Sequence, residues 1–420
     1  MSSTSILAII LIITIAHFLF DRWLAWLNLK RFSPELPKEA GGIYDEEKYA
    51  KAMEYQKVRS RFSLISSSIS AAFTIALLSF GLFGDLDVYL RQWIENPFWQ
   101  PFLFFGVLAV VSDIFGLPFQ LYSTFVIEER FGFNKTTIKV FIADKLKGYL
   151  LGAILGGGLL FCFLYIIEKL GSDFWWIFLL VIMAFSLLMN LFYASWILPI
   201  FNKLKPLADG ELRNEIAEFA SKVDFPLTKI MVIDGSKRSS RANAFFSGMG
   251  RKKQIVLYDT LIEQHDTDEL VAVLAHEVGH YKLKHIPKSM ALSFFTTGLM
   301  LFVLSLLLFE PKLSFALGGD QWAIHLNLLA FGILYSPISF LIGLLGNLLS
   351  RKNEFEADSF AAKYYAATPL QNALKKLSVE NLAHLTPHPL YVFFNYSHPP
   401  LLRRLANLER EKAIIEDDIT

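Results

Sequence analysis

The sequence predicts a mainly α-helical, polytopic membrane protein with a small α/β portion outside the bilayer. Three observations carry this. Of 420 residues, 54% are hydrophobic and only 19% charged, with a mean hydropathy of +0.41, too apolar for an ordinary soluble protein. Seven apolar runs can each cross a bilayer at about 20 residues per crossing. Between the fifth and sixth runs lies a polar stretch patterned as short strands and helices. A net charge of +1 supplies no basic field, so no nucleic-acid partner is expected. The single cysteine, Cys162, excludes an intrachain disulfide and a cysteine metal site.

The first span runs from Ser5 to about Leu27. It has no basic leader and no small-residue cleavage site, so it reads as a retained membrane helix rather than a signal peptide. Further spans are expected at Phe62–Gly84, Phe98–Phe119, Gly148–Ile167, Phe174–Pro199, Lys288–Phe309 and His325–Leu349. Lysine and arginine alternate between the connections. The stretches 30–61, 128–147 and 202–287 are rich in them, whereas 85–97, 168–173 and 310–321 carry one each. The positive-inside rule then puts the N-terminus outside, and the long insert and C-terminus in the cytoplasm. Asp113 sits within the third span, where a charge must face a partner or a polar interior. Gly152 and Gly156 are expected to allow close helix packing.

The insert, residues 202–287, reads as an amphipathic helix at Gly210–Val223, a strand at Lys229–Asp234, and strands at Asn243–Ser247 and Gln254–Tyr258 joined by a turn through Gly248 and Gly250. The two last strands make a hairpin whose free edge can take an extended peptide by strand addition. Packing a small core is the alternative use of such a hairpin. Next comes an apolar run carrying His276-Glu277-Val278-Gly279-His280. On a helix, residues four apart share a face. His276 and His280 can therefore offer two nitrogens to one ion, with Glu277 beside it as a carboxylate that takes a proton from water. Two histidines do not complete a catalytic site, which usually has three protein ligands. After the seventh span, Glu354 and Asp358 lie four apart on one helical face. Glu354 can supply the third ligand, and Asp358 can fix the tautomer of a ligand histidine. Glu356 is expected to face solvent.

At this point the chain resembles the type I CAAX prenyl endopeptidases, integral-membrane zinc metalloproteases of the gluzincin class. The matching stretches are Phe125–Lys135, Asp234–Arg238, Asn243–Phe246, Ile255–Leu261, His276–His280, Glu354–Asp358, and Ser397-His398-Pro399-Pro400 with Arg404. They span almost the whole chain in the family's order. The resemblance implies a barrel of seven transmembrane helices around a water-filled chamber, capped by one Zn2+ site. It implies His276, His280 and Glu354 as ligands and Glu277 as general base. It maps Asp358 to a catalytic acidic residue, His398 to a histidine near the substrate, and Arg404 to an arginine supporting the site. Asn243, Ala244, Phe245 and Arg404 are the expected substrate-binding residues.

The expected organisation is a five-helix membrane region (residues 1–201), a cytoplasmic insert (202–287), membrane helices six and seven (288–349), and a helical C-terminal region (350–420). The expected function is zinc-dependent cleavage of the C-terminal tripeptide from prenylated CAAX-type proteins or peptides. Two alternatives stay open: a quality-control metalloprotease without a prenyl requirement, and a transporter-like bundle with structural zinc. The expected partners are a lipidated peptide or protein and membrane lipid, and nothing indicates an oligomer. Ser239–Asn243 departs from the family where relatives often carry histidine and serine, which bears on substrate preference. A C-terminal stretch without a lysine-rich tail favours a bacterial inner membrane over the endoplasmic reticulum.

Overall fold

The computed structural model describes residues 1–247 and 253–417. The expected turn at Gly248–Lys253 lies outside them except for Lys253. Among the described residues, six helical stretches are long and apolar enough to cross a membrane. One of them, Ile138–Phe201, is 64 residues long, far beyond the ~20 of a single crossing. It breaks at Gly171–Asp173 and folds back, with Phe163 packed edge-on against Phe174 and Phe178 at 5.3 and 4.9 Å. It therefore supplies two crossings, and the spans number seven.

The membrane helices are α1 (Ser3–Leu29), α2 (Glu46–Ser79), α3 (Gln100–Tyr122), α4 (Ile138–Leu170) and α5 (Phe174–Phe192). After the insert come two more, His285–Leu307 and Ile324–Tyr364. Several overshoot the hydropathic spans. α2 starts 16 residues before Phe62, because hydropathy marks where lipid ends and not where a helix ends. Its true start is set by Asp45, whose carboxylate caps the Lys48 amide at 2.7 Å. Only 6 to 22% of each span's apolar window is buried. Most of each span's apolar surface is thus free of protein contact, as expected of helices that face lipid.

Two sequence features resolve differently within this wall. Asp113 on α3 pairs with Lys145 and Tyr149 on α4, so the charge is compensated between helices. A Cβ added at Gly152, Gly156, Gly157 or Gly158 would meet nothing within 4 Å. These glycines do not serve close helix packing, contrary to expectation.

The insert forms a four-stranded sheet from β1 (Leu204–Pro206), β2 (Leu227–Ile233), β3 (Ala244–Ser247) and β4 (Lys253–Tyr258), in the order β1-β2-β4-β3. β2 and β4 are parallel; β1 and β3 pair antiparallel with them. β1 was not expected: three residues containing a proline give no periodic signal. Helix α6 (Glu211–Lys222) covers the sheet through Ile216 and Phe219, which join Ile255 and Leu257 in one core. The same core takes the apolar side of α7 (Thr267–Lys282), through Val271, Leu274, Ala275 and Val278.

The Phe125–Lys135 segment ties the membrane wall to this sheet. Glu128 accepts from Tyr55 of α2 at 2.7 Å and from Arg241 at 2.8 Å. Asn134 bridges to Ser239. Arg238 grips Asp144 of α4 through two bonds of 2.7 and 2.9 Å and also donates to the Phe201 carbonyl. The loop before β3 is thereby anchored from three sides.

Helix α8 (His285–Leu307) returns to the membrane, and α9 (Ile324–Tyr364) leaves it as one unbroken 41-residue helix. The 349/350 boundary drawn from hydropathy falls inside α9. Its last turns stand beside α7, and α10 (Ala367–Glu380) and α11 (Leu401–Asp417) close the far side.

Candidate active site

The site is made where α7 and α9 touch. Helix α7 begins at a capping box: Asp266 accepts from the Glu269 amide at 3.1 Å, and Glu269 reaches back to the Asp266 amide at 3.4 Å. In the last turn of α7, Gly279 faces Ala357 of α9. A Cβ there would lie 3.1 Å from Ala357 Cα and 3.1 Å from Phe360 Cβ. The glycine between the motif's two histidines lets the helices approach closely enough for Glu354 to reach across.

The result is a donor triangle of three residues, with one ligand atom of each within 4.8 Å of the others. His276 Nε2 and His280 Nε2 are 3.2 Å apart. Glu354 Oε2 lies 3.5 Å from the first and Glu354 Oε1 3.3 Å from the second. These three residues could hold one metal ion. Behind them, Asp358 is completely buried. It accepts from His276 Nδ1 at 2.9 Å and from Arg404 Nε and Nη2 at 2.8 and 2.6 Å. With Nδ1 carrying the proton, His276 turns the lone pair of Nε2 toward the triangle. Arg404 also lies 3.4 Å from Glu354.

In front of the triangle is a cavity of about 160 Å³ lined by Asn243, Ala244, His276, Glu277, Glu354, His398 and Arg404. His398 is mostly exposed, with Nε2 3.4 Å from Glu354 Oε1 and Nδ1 3.0 Å from the Ser397 hydroxyl. β3 is the last strand of the sheet, paired with β4 on one side.

Of the expected substrate-binding residues, Asn243, Ala244 and Arg404 line this cavity and Phe245 does not. Phe245 packs with Ala194, Leu198, Ile233 and Val256 on the opposite face of the sheet, because successive side chains of a strand alternate faces. Arg404 borders the cavity, but two of its guanidinium nitrogens are committed to Asp358. Asp358 has no exposed surface from which to meet a substrate.

Electrostatics follow from this packing. Burial disfavours a charged His276, but its hydrogen bonds to the Asp358 and Glu354 carboxylates outweigh it and raise its pKa to about 9. Glu277 is pushed above the ordinary carboxylate range by burial, with the neighbouring imidazoles opposing.

Two residues at the site were missed. His285 is buried, with Nδ1 3.0 Å from His280 Nδ1. Its Nε2 lies 2.9 Å from Glu356, the residue expected to face solvent. The available signal was a third histidine five residues after His280.

The sequence matches two family models that meet at the insert. Residues 25–203 match the CAAX prenyl protease N-terminal region of five membrane helices, and residues 206–412 match peptidase family M48. The chain is 38% identical to CAAX prenyl protease 1 homolog of Arabidopsis thaliana, covering 94% of this chain and 96% of that protein. The chain belongs to peptidase family M48. This M48 peptidase is also 33% identical to CAAX prenyl protease 1 of Saccharomyces cerevisiae, over 94% of this chain and 93% of the relative. Identity to CAAX prenyl protease 1 homolog of Homo sapiens is 34%, over 94% and 93% of the two chains. The crystal structure of S. mikatae Ste24p superposes with a TM-score of 0.92 at 33% identity, covering 96% of this chain and 99% of that one. The M48 peptidase is thus a multi-pass membrane metalloendopeptidase whose helices surround a chamber, and the family implies a bound metal.

Proposed function

We propose that this M48 peptidase is a zinc-dependent endopeptidase that removes the C-terminal tripeptide of prenylated CAAX-type proteins, with its site on the cytoplasmic side of the membrane. The observation that carries the chemistry is the donor triangle. Zinc bonds of about 2.0–2.2 Å in a tetrahedron put neighbouring ligand atoms about 3.3–3.6 Å apart. The two imidazole nitrogens stand 3.2 Å apart, and each has its own Glu354 oxygen at 3.3 or 3.5 Å. Two imidazoles and one carboxylate also suit zinc better than magnesium or calcium, which take oxygen ligands. His276, His280 and Glu354 would hold the ion. When bound, zinc supplies a Lewis acid that acidifies water and polarises a carbonyl.

The remaining work falls to the chain. Glu277 takes a proton from the attacking water as the new carbon–oxygen bond forms. It returns that proton to the amide nitrogen as the carbon–nitrogen bond breaks. His398 donates to the oxygen that becomes negative. Asp358 orients His276, and Arg404 neutralises Asp358, so neither needs to touch substrate. The peptide lies extended on the β3 edge at Asn243 and Ala244, held by backbone pairing rather than by the Phe245 side chain. The names of the relatives support the prenylated substrate, and an interior open to bilayer-spanning walls suits a lipid tail that costs about 0.8 kcal/mol per CH₂ to expose. The basic residues of the insert itself and of the connections 30–61 and 128–147 support the cytoplasmic orientation.

The test is cleavage of a farnesylated CAAX peptide by purified protein in detergent, alongside Glu277→Gln, a chelator control and the same peptide without lipid. Cleavage after the prenyl cysteine that needs Glu277, metal and lipid is the expected result. Equal cleavage of the bare peptide would replace the prenyl reading with a lipid-independent protease. No cleavage by folded, metal-loaded protein would overturn the assignment.

A further inference from the structure

Asp358 accounts for the orientation of His276, but His280 has no carboxylate on its outer nitrogen. It has another imidazole instead. His280 Nδ1 lies 3.0 Å from His285 Nδ1, and His285 Nε2 lies 2.9 Å from Glu356 Oε2. The rings of His280 and His285 stand 5.1 Å apart at 73°. His285 is 2% exposed, so this contact is sheltered from water.

The bond directions are dictated in sequence. His280 must present the lone pair of Nε2 to the donor triangle, so its proton sits on Nδ1. That N–H donates to His285 Nδ1, which must then accept. A neutral imidazole with an accepting Nδ1 carries its proton on Nε2, and this N–H donates to Glu356. Glu356 is kept charged from the other side by Lys352, 3.6 Å from Oε1. Every link has one consistent donor and acceptor.

The backbone is bent to make this contact. His285 comes back under His280 because only Leu283 and Lys284 separate α7 from α8, and Lys284 adopts the left-handed region at φ 59°, uncommon for a residue other than glycine. Glu356 is brought by α9, two residues after Glu354.

We propose that His285 and Glu356 are positioning residues that hold His280 as a metal ligand, a two-step counterpart of the direct Asp358 contact on His276. This rests on the reading of His280 as a ligand. Partners behind a ligand histidine typically change metal affinity 10- to 100-fold. His285→Leu removes the acceptor altogether. His285→Asn keeps an oxygen near the position of Nδ1 and loses only the link to Glu356. Glu356→Gln, on a side chain 38% exposed, weakens the last link with little effect on packing.

The experiment loads wild type and variants with zinc and follows metal loss to a colorimetric chelator, with folding monitored by thermal melting. His285→Leu is expected to lose zinc about 10- to 100-fold faster than wild type, Glu356→Gln several-fold faster, and His285→Asn at a rate between His285→Leu and wild type. A purely structural role for His285 would lower the melting point without that graded order. His280→Ala serves as reference for the ligand itself. If wild type and His280→Ala hold zinc equally, the ligand assignment fails and the relay with it. If His280→Ala loses zinc while Glu356→Gln and His285→Asn keep it at the wild-type rate, the relay alone is refuted. The last two variants decide the matter should His285→Leu not fold.

Discussion

Removing Asp358 separates two jobs that a single buried carboxylate performs. Asp358 is fully buried and receives two bonds from Arg404, whose side chain is only 11% exposed. Asp358→Ala leaves that guanidinium buried without its main counter-charge, a change that costs about 3–5 kcal/mol. Glu354 is 3.4 Å from Arg404 and offers partial compensation, so about 3 kcal/mol is the expected figure. The same substitution frees the Nδ1 side of His276, which should weaken metal binding about 10- to 100-fold. The double variant Asp358→Leu with Arg404→Met removes both charges and should regain most of the stability. It should not regain metal affinity, because no acceptor returns to His276. Thermal melting in detergent reads the first effect and zinc retention against a chelator reads the second. A double variant that recovers metal binding along with stability would refute the orienting role. One as unstable as Asp358→Ala would refute the buried-charge argument.

Further expectations concern the reaction and its scaffold. Glu277→Gln should lower kcat about 10²- to 10⁴-fold with zinc content unchanged, measured by peptide cleavage and metal analysis on the same preparation. Burial raises the pKa of Glu277, and the base works only when deprotonated. The acid limb of kcat/KM should therefore fall at a pH above the ordinary carboxylate range, and a limb at that range would count against Glu277. His276, at about 9 despite the opposing effect of burial, retains its proton below that pH. Metal must displace it, so zinc affinity should rise about tenfold per pH unit from 7 toward 9, checked by competition titrations. Gly279→Ala puts a methyl 3.1 Å from Ala357 Cα and Phe360 Cβ. Overpacking of this kind costs about 1–3 kcal/mol, and activity should fall further than the melting point because the α7–α9 spacing sets the donor triangle.

The grouping of the candidate site residues was legible because its parts are local. The four-residue spacing of His276 and His280, and of Glu354 and Asp358, needs only helix geometry. That Asp358 turns out to back His276 follows from the same spacing. What was not legible depends on residues distant in sequence. Phe245 was expected at the substrate because it lies on the edge strand, but strand periodicity cannot say which face is which until α6 and α7 cover one of them. Glu356 was assigned to solvent by its place on α9, and only the turn at Lys284 brings His285 to meet it. The glycines of α4 show the same limit: their spacing is that of a packing seam, and a Cβ at any of them would meet nothing within 4 Å. Hydropathy located the seven spans, yet it divided α9 at residue 349, where the helix carries on without interruption. That continuity has a mechanical consequence. Glu354 and Asp358 ride on the same rigid rod as the seventh span, while His276 and His280 sit on a helix packed into the soluble core. The donor triangle is closed only while those two bodies hold their spacing. Gly279 sets it by allowing contact, and Arg404 of α11 clamps it by reaching both Asp358 and Glu354. On the proposed reading, the membrane wall is therefore part of the catalytic apparatus, not merely its container.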